Sequence, residues 1–180
     1  MAVDPLTIKA YNDRASEFSM RYRALAPTDL QEMAGAFFHQ GEPTADIGCG
    51  SGRDAAWLRD HGFPTVGYDA SPEMLAHARA AYPNLEFHLD SLPDLATISP
   101  GSYSNVLCCA VLMHIRREDL ITAALALARV LKPGGRLLLT YRHSQGQDER
   151  EPDGRLFTAI PSGKLILLLE SAGFRVVMST

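Results

Sequence analysis

The run Asp46-Ile47-Gly48-Cys49-Gly50-Ser51-Gly52 constrains the fold more than any other part of the chain. Its alternating glycines admit backbone angles that other residues avoid and let a ligand approach closely. A short apolar stretch, Thr44 to Ile47, leads into the run, and a helical pattern from about Arg53 to His61, closed by Gly62, leads out of it. A strand turning through glycines into a helix is the opening unit of an open parallel sheet. In such sheets ligands bind beyond the carboxyl ends of the strands, where strand order reverses. The plain alternative is a tight turn that binds nothing.

The remaining sequence fits that architecture. Ala10, Tyr11, Ala15, Phe18, Tyr22 and Leu25 recur at helical spacing, which predicts one amphipathic helix over about 5–25, interrupted by Pro27. A second helix is expected from Leu30 to Phe38, capped by Thr28 and Asp29. Strands are expected at Phe63–Tyr68, Leu85–Leu89, Tyr103–Cys109, Arg136–Tyr141 and Phe174–Met178. Helices separate them: one opened by Ser71 as cap and Pro72 in the first turn, an Ala/Leu helix over Glu118–Leu131, and one over about Pro161–Ala172. Residues 142–156 are polar and read as a mobile loop that closes over a site or lies free. Short apolar strands alternating with helices imply a parallel sheet covered on both faces. The expected fold class is α/β: a three-layer, Rossmann-like, doubly wound, mostly parallel sheet in one domain of 180 residues. Residues 1–27 form its N-terminal lid and 28–180 its core.

Glycine spacing narrows the ligand. A dinucleotide fingerprint, G-x-G-x-x-G, would place its third glycine at Arg53, whereas here it is Gly52. Asp46, just before the turn, would repel a pyrophosphate but can hold an ammonium group. No G-K-[ST] follows, so a P-loop is excluded. Asp69 closes the second strand, where a carboxylate can accept both hydroxyls of a ribose. Its bland role as a helix cap is already offered by Ser71. Asp90, followed by Ser91, closes the third strand and can meet an adenine edge, or be a solvated loop residue.

With these residues the chain resembles the class I S-adenosylmethionine-dependent methyltransferases, over essentially its whole length. Ala45–Gly52 is similar to the family's first motif, Gly67-Tyr68-Asp69-Ala70-Ser71 with Met74 to its ribose-binding segment, and Leu89-Asp90-Ser91-Leu92 to its adenine-binding segment. Leu131-Lys132-Pro133-Gly134-Gly135 resembles the turn before strand five, and Ala172-Gly173-Phe174 the turn before strand six. The resemblance implies S-adenosyl-L-methionine as cofactor, S-adenosyl-L-homocysteine as product, and roles for individual residues. Asp46 would organise the turn and the methionine ammonium, and Gly48, Cys49 and Gly50 would touch the methionine and ribose. Asp69 would bind the ribose, Ala70 and Met74 would flank adenine, and Asp90 and Ser91 would meet its edge. Cys109 and Ala110 would lie under the methionine. Tyr11, in a Y-x-x-x-A pattern, resembles the lid tyrosine, its alternative being a core aromatic. Two departures stand out. Asn105 occupies a position often acidic in the family, and the sequence stops at Thr180, right after the sixth expected strand. The sheet therefore lacks a seventh strand, or the sequence ends before it. Either way an edge is left that a second copy could cover, as a homodimer.

The acceptor is less constrained. A net charge of −4 gives no broad basic field for a nucleic-acid backbone. The sequence has no Asn-Pro-Pro-Tyr or Pro-Cys after the fourth strand, which disfavours base methylation. A small-molecule acceptor is expected. Cys108 and Cys109 are adjacent and point to opposite faces of a strand, so they suit neither a disulfide with each other nor a zinc site. Free thiols, no visible signal peptide and no apolar run long enough to span a bilayer suggest a cytoplasmic protein with no membrane partner. His114 is the candidate base or substrate holder, against a structural histidine. Tyr141, Arg142 and His143 follow the fifth strand at the open end of the sheet. Tyr141 and Arg142 are candidate acceptor contacts, Arg142 for a carboxylate or phosphate, against solvated loop residues. Two other readings remain: a non-catalytic module binding S-adenosylmethionine or S-adenosylhomocysteine, and an NAD-dependent oxidoreductase, disfavoured by glycine spacing.

Overall fold

The computed structural model describes residues 3–144 and 146–178. Five parallel strands, β1 (Thr44–Ile47), β2 (Thr65–Asp69), β3 (Glu86–Leu89), β4 (Tyr103–Cys109) and β5 (Leu131–Thr140), form one sheet in the order β3-β2-β1-β4-β5. The chain winds outward from β1 to β3, then returns to β4 on the other side of β1. The strand order therefore reverses between β1 and β4, and the glycine turn leaves β1 at that point.

The faces of the sheet follow from side-chain alternation. Val106 and Cys108 of β4 point to one face, where they pack with Leu120, Ala123 and Leu127 of α6 (Leu120–Val130) and Leu165 of α7 (Ser162–Ser171). Leu107 faces the opposite side, against Phe38, Leu58 and Phe63, with Cys109 packed at the edge of that cluster. That second layer is built from α3 (Thr28–Phe37) and α4 (Arg53–Asp60), with α5 (Pro72–Ala81) covering β2 and β3. All four residues of β1 are buried, as a strand covered on both faces requires. Asn105 is structural: its Oδ1 accepts from the His39 amide at 2.8 Å, and its Nδ2 donates to the His39 carbonyl at 2.9 Å. These bonds tie the end of α3 to the sheet. Among the described residues no helix is long and apolar enough to cross a membrane.

Four local expectations need correction. The N-terminal segment is two helices, α1 (Pro5–Asp13) and α2 (Ala15–Arg23), because Arg14 leaves helical geometry at φ −118° and ψ 22°. Thr28 is the first residue of α3 and Pro27 its cap, with no side-chain capping bond, so neither Thr28 nor Asp29 caps it. Phe174–Met178 is no strand. It leaves α7 with Val177 60% and Met178 69% exposed, and β propensity without a ladder partner does not make a strand. Residues 142–156 are not simply a loop: β6 (Glu149–Arg150) pairs antiparallel with β7 (Leu156–Phe157) in a small hairpin. Thr180 lies outside the described residues, and with it the question of a seventh strand.

Candidate functional site

The glycine turn is shaped by backbone geometry. Gly48, Gly50 and Gly52 all have positive φ (73°, 51° and 77°), which a Cβ would strain. The amides of Gly48 and Cys49 both donate to the Tyr68 carbonyl, at 2.7 and 2.9 Å, fixing the turn to the end of β2. A Cβ on Gly48 would lie 2.2 Å from Cγ2 of Val111, which follows β4, so the turn can pass under Val111 only as glycine.

Asp69 locks the other side of the turn. Its Oδ2 accepts from the Gly50 amide and its Oδ1 from the Ser71 amide, each at 2.8 Å. Ser71 in turn caps α5 by accepting from the Met74 amide at 3.1 Å. Each Asp69 oxygen keeps acceptor capacity after these bonds. Burial raises its carboxyl pKa, against the lowering effect of the Ser71 and Gly50 amides. Asp46 sits deeper, 2% exposed, and its Oδ2 has no partner among the described residues. Burial first, then Asp54 and Asp69, push its carboxyl well above the usual range. Asp54 is held by Arg53 at 2.7 Å. The space in front of the turn thus faces several carboxylates, a field that favours cations over anions.

A cavity of about 270 Å³ opens here, between the ends of β1, β2 and β4 below and α1 and α2 above. Its lining includes Gly48, Cys49, Gly50, Asp69, Ala70, Asp90, Ser91, Cys109, Ala110, Tyr11 and His114. Ala110 holds a left-handed φ of 57°, a strained conformation at the cavity wall.

The wall opposite the glycine turn is made of side chains. The Tyr11 hydroxyl lies 3.1 Å from His114 Nε2, and His114 Nδ1 lies 2.7 Å from the Leu156 carbonyl. His114 is 7% exposed, and burial lowers its pKa. Phe157 meets its ring edge-on, with centroids 4.8 Å apart. The β6–β7 hairpin fastens α1 and α2 over this wall. Arg150 donates to both oxygens of Asp4 at 2.9 Å, Arg14 pairs with Asp153 at 2.7 Å, and the Leu156 amide donates to Thr7 Oγ1 at 2.9 Å. The Arg155 guanidinium sits 5.0 Å from the Phe18 ring centre and also pairs with Asp153.

Several expected contacts are not made. Met74 is not on the cavity wall; it packs under α2 with Ala15 and Phe18, its sulfur 3.6 Å from Ser19 Oγ. Asp46 lies beneath the turn instead of on the wall. Asp90 is at the wall, but its Oδ1 accepts from the Ser91 and Ala96 amides and its Oδ2 from the amide and hydroxyl of Thr97. Those four bonds fill a carboxylate's acceptor positions, so Asp90 shapes the 91–97 loop and has no capacity left for an adenine amino group. Tyr141 and Arg142 lie away from the cavity. Tyr141 packs on the sheet core, and Arg142 pairs with Glu151 at 3.1 Å and sits 4.9 Å over the Phe157 ring. Strand five ends near the site, but the hairpin draws the following residues outward. Val111, Arg53, Arg155 and the Leu156 carbonyl were missed. Only Arg155, a charge in a polar segment, left any trace in sequence.

A family model described as a methyltransferase domain matches residues 45–135. The ubiquinone biosynthesis O-methyltransferase of Xanthomonas campestris pv. campestris (strain B100) is 31% identical over 121 residues, covering 65% of this chain and 50% of the relative. The chain thus spans about half the length of the curated relatives it matches. Among solved structures, the Burkholderia thailandensis 1,6-didemethyltoxoflavin-N1-methyltransferase, bound to 1,6-didemethyltoxoflavin and S-adenosylhomocysteine, superposes with a TM-score of 0.76. It is 20% identical and covers 97% of this chain and 79% of that one. The [4+2]-cyclase SpnF superposes with a TM-score of 0.73 at 19% identity, covering 99% of this chain and 76% of that one.

Proposed function

The chain belongs to the methyltransferase-domain family, and from that premise we propose that it binds S-adenosyl-L-methionine in the cavity at the glycine turn and directs its methyl group to a small-molecule acceptor. The observation that carries the reading is Asp69. Its carboxylate holds the turn through the Gly50 and Ser71 amides, faces the cavity, and keeps acceptor capacity on both oxygens for a vicinal diol. The buried, unpartnered Oδ2 of Asp46 and the carboxylates around it suit a positively charged ligand and oppose a pyrophosphate.

The residues present fit the cofactor. Asp69 would take the ribose hydroxyls, and the Gly48–Gly50 backbone and Ala110 would bracket the amino-acid portion. Ala70 and Ser91 would flank the base, and Asp46 would act from beneath through its buried carboxyl, whose ionised form a cationic ligand favours. When bound, the cofactor supplies a methyl group on a cationic sulfur for in-line displacement and leaves as S-adenosyl-L-homocysteine. The protein contributes orientation and a place for the acceptor's proton. Neutral His114, with its pKa lowered by burial, takes that proton. α1 and α2, held by the hairpin, roof the cavity against water.

A second reading keeps the cofactor without methyl transfer. It is favoured by one observation: a protein named as a cyclase shares this fold, so fold alone does not choose the chemistry. Equilibrium dialysis of the wild-type chain against labelled S-adenosylmethionine, with NAD as competitor, tests the common premise. Retention of label that NAD fails to displace is expected; no retention overturns both readings.

A further inference from the structure

We propose that Tyr11 and His114 act as one proton-accepting pair for an uncharged acceptor bearing a hydroxyl group, with the Tyr11 oxygen meeting the acceptor and His114 holding the proton. This deepens the methyl-transfer reading and rests on it. The argument begins at Leu156, whose carbonyl can only accept a hydrogen bond. His114 Nδ1, 2.7 Å away, therefore carries the proton of the neutral ring. The single lone pair of that ring is then on Nε2, and the Tyr11 hydroxyl occupies it at 3.1 Å. Neither ring nitrogen has a position left for an acceptor. The Tyr11 oxygen has two acceptor lone pairs; the Arg155 guanidinium takes one, which leaves one for the acceptor hydroxyl, and Tyr11 lines the cavity beside Tyr22.

The transfer balances without a tyrosinate. The acceptor O–H bond breaks as its proton passes to the Tyr11 oxygen, while the original Tyr11 O–H bond breaks and that proton passes to Nε2. His114 becomes imidazolium, still donating from Nδ1 to Leu156. The electron pair left on the acceptor oxygen becomes the nucleophile. Concerted movement matters because burial pushes the Tyr11 hydroxyl far above its ordinary range. The titratable groups packed around the pair are Asp4 from α1, Tyr22 from α2, and Asp153 and Arg155 from the hairpin.

The class of acceptor follows from the other wall groups. Each charged side chain on the cavity is already engaged: Arg53 with Asp54 and the Tyr22 carbonyl, Asp69 with two amides, Asp90 with the 91–97 loop. Among the described residues no cation is left over to neutralise an anionic acceptor, the carboxylates of the glycine turn serve the cationic cofactor, and Val3, Ile8, Leu25, Val111 and Ile115 line the same space. A phenol-type hydroxyl holds its proton up to a pKa of about 10 and needs a proton acceptor at neutral pH. An uncharged amine already presents a lone pair and does not.

Two measurements test the pair. Nitrogen-15 NMR of His114 in the ligand-free protein at neutral pH should show Nδ1 protonated and Nε2 unprotonated, with the Nε2 signal moving toward a free nitrogen in Tyr11→Phe. An Nε2-protonated ring, or no movement, overturns the proposal. Methyl transfer to catechol and hydroquinone, with aniline as the amine probe, then compares wild type, Tyr11→Phe, His114→Gln and the double variant. Each single substitution should lower phenol turnover by about 100-fold or more. The double should fall no further than about threefold below either, as expected of one coupled unit. His114→Gln should also lose the low-pH limb of the rate profile while binding S-adenosylhomocysteine like wild type. Full turnover in Tyr11→Phe, multiplicative losses in the double, or a wild type that binds S-adenosylhomocysteine yet methylates only aniline or nothing overturns the proposal. Failure of wild type to bind S-adenosylhomocysteine overturns instead the reading beneath it.

Discussion

Below the cavity, the wall between Asp46 and Ser71 is mostly backbone: glycine amides, a carbonyl of β2 and one carboxylate that ties them together. Above it, the wall is side chains drawn from α1 and α2 and from the turn after β4, backed by the β6–β7 hairpin. The first wall is continuous in sequence, with partners about twenty positions apart. The second joins Tyr11 to His114 and Arg150 to Asp4 across most of the chain. A backbone wall suits a cofactor that every member of a family shares, because it leaves side chains free to vary. A side-chain wall can be rebuilt for each acceptor. Val111 is the joint, reaching from the upper wall into the space that Gly48 leaves open.

The joint is where the comparison breaks most easily. Gly48→Ala places a Cβ 2.2 Å from Val111 at a φ of 73°. Overpacking and strain of about 2 kcal/mol should lower Tm by about 4–8 °C. S-adenosylhomocysteine affinity should fall more than tenfold; a variant with unchanged affinity would separate the two walls.

Asp46→Asn sharpens the lower wall. Its carboxyl pKa is raised in the folded protein, so the ionised form costs stability, and that cost is relieved as pH falls through the folded pKa toward the ordinary value of 3.8. The Asn variant should therefore melt higher at pH 7, by the roughly 2–4 °C that 1 kcal/mol moves a domain of this size, and the gap should narrow at acid pH. Cofactor affinity should drop, by about tenfold. Scanning calorimetry against pH checks the first point; a variant less stable at pH 7 would contradict the burial argument.

The upper wall should respond differently. Arg150→Ala removes a latch between the exposed Arg150 and the buried Asp4, worth about 1 kcal/mol, and should cost 2–4 °C in Tm, quicken proteolysis in α1, and change S-adenosylhomocysteine affinity by less than about threefold. Asp4 is lowered to about 2 by Arg150, so the latch contributes above the ordinary value of 3.8 and is lost as pH falls toward about 2. The Tm difference should vanish over that interval. Arg142→Ala has the smallest expected effect, none on either ligand, because its guanidinium pairs with Glu151 outside the cavity. A raised KM for an acceptor would return Arg142 to the site.

The legibility of the two walls differs for the same physical reason. Gly48, Gly50, Gly52 and Asp69 were readable because local geometry dictates residue type where φ is positive or a carboxylate must meet adjacent amides. The doubly wound parallel sheet followed from the same local units, and its strand order came only from the structure. Tyr11 and His114 were readable as residues but not as a pair, since nothing in either neighbourhood specifies a contact 103 positions away. The Leu156 carbonyl carries no side-chain signal at all. Tyr141 and Arg142 were misplaced because a strand end near the site says nothing about where a following hairpin leads. The expected strand at Phe174–Met178 failed on the other non-local term, a partner to pair with.

The central claim is that Asp69 and the glycine turn together hold an adenosyl amino acid. Calorimetric titration of S-adenosylhomocysteine into wild type and Asp69→Ala tests it directly. The account predicts one-to-one binding by wild type and a loss of about 100-fold in the variant, roughly 2.7 kcal/mol. Equal affinity in the two proteins, or no heat with wild type, would contradict it.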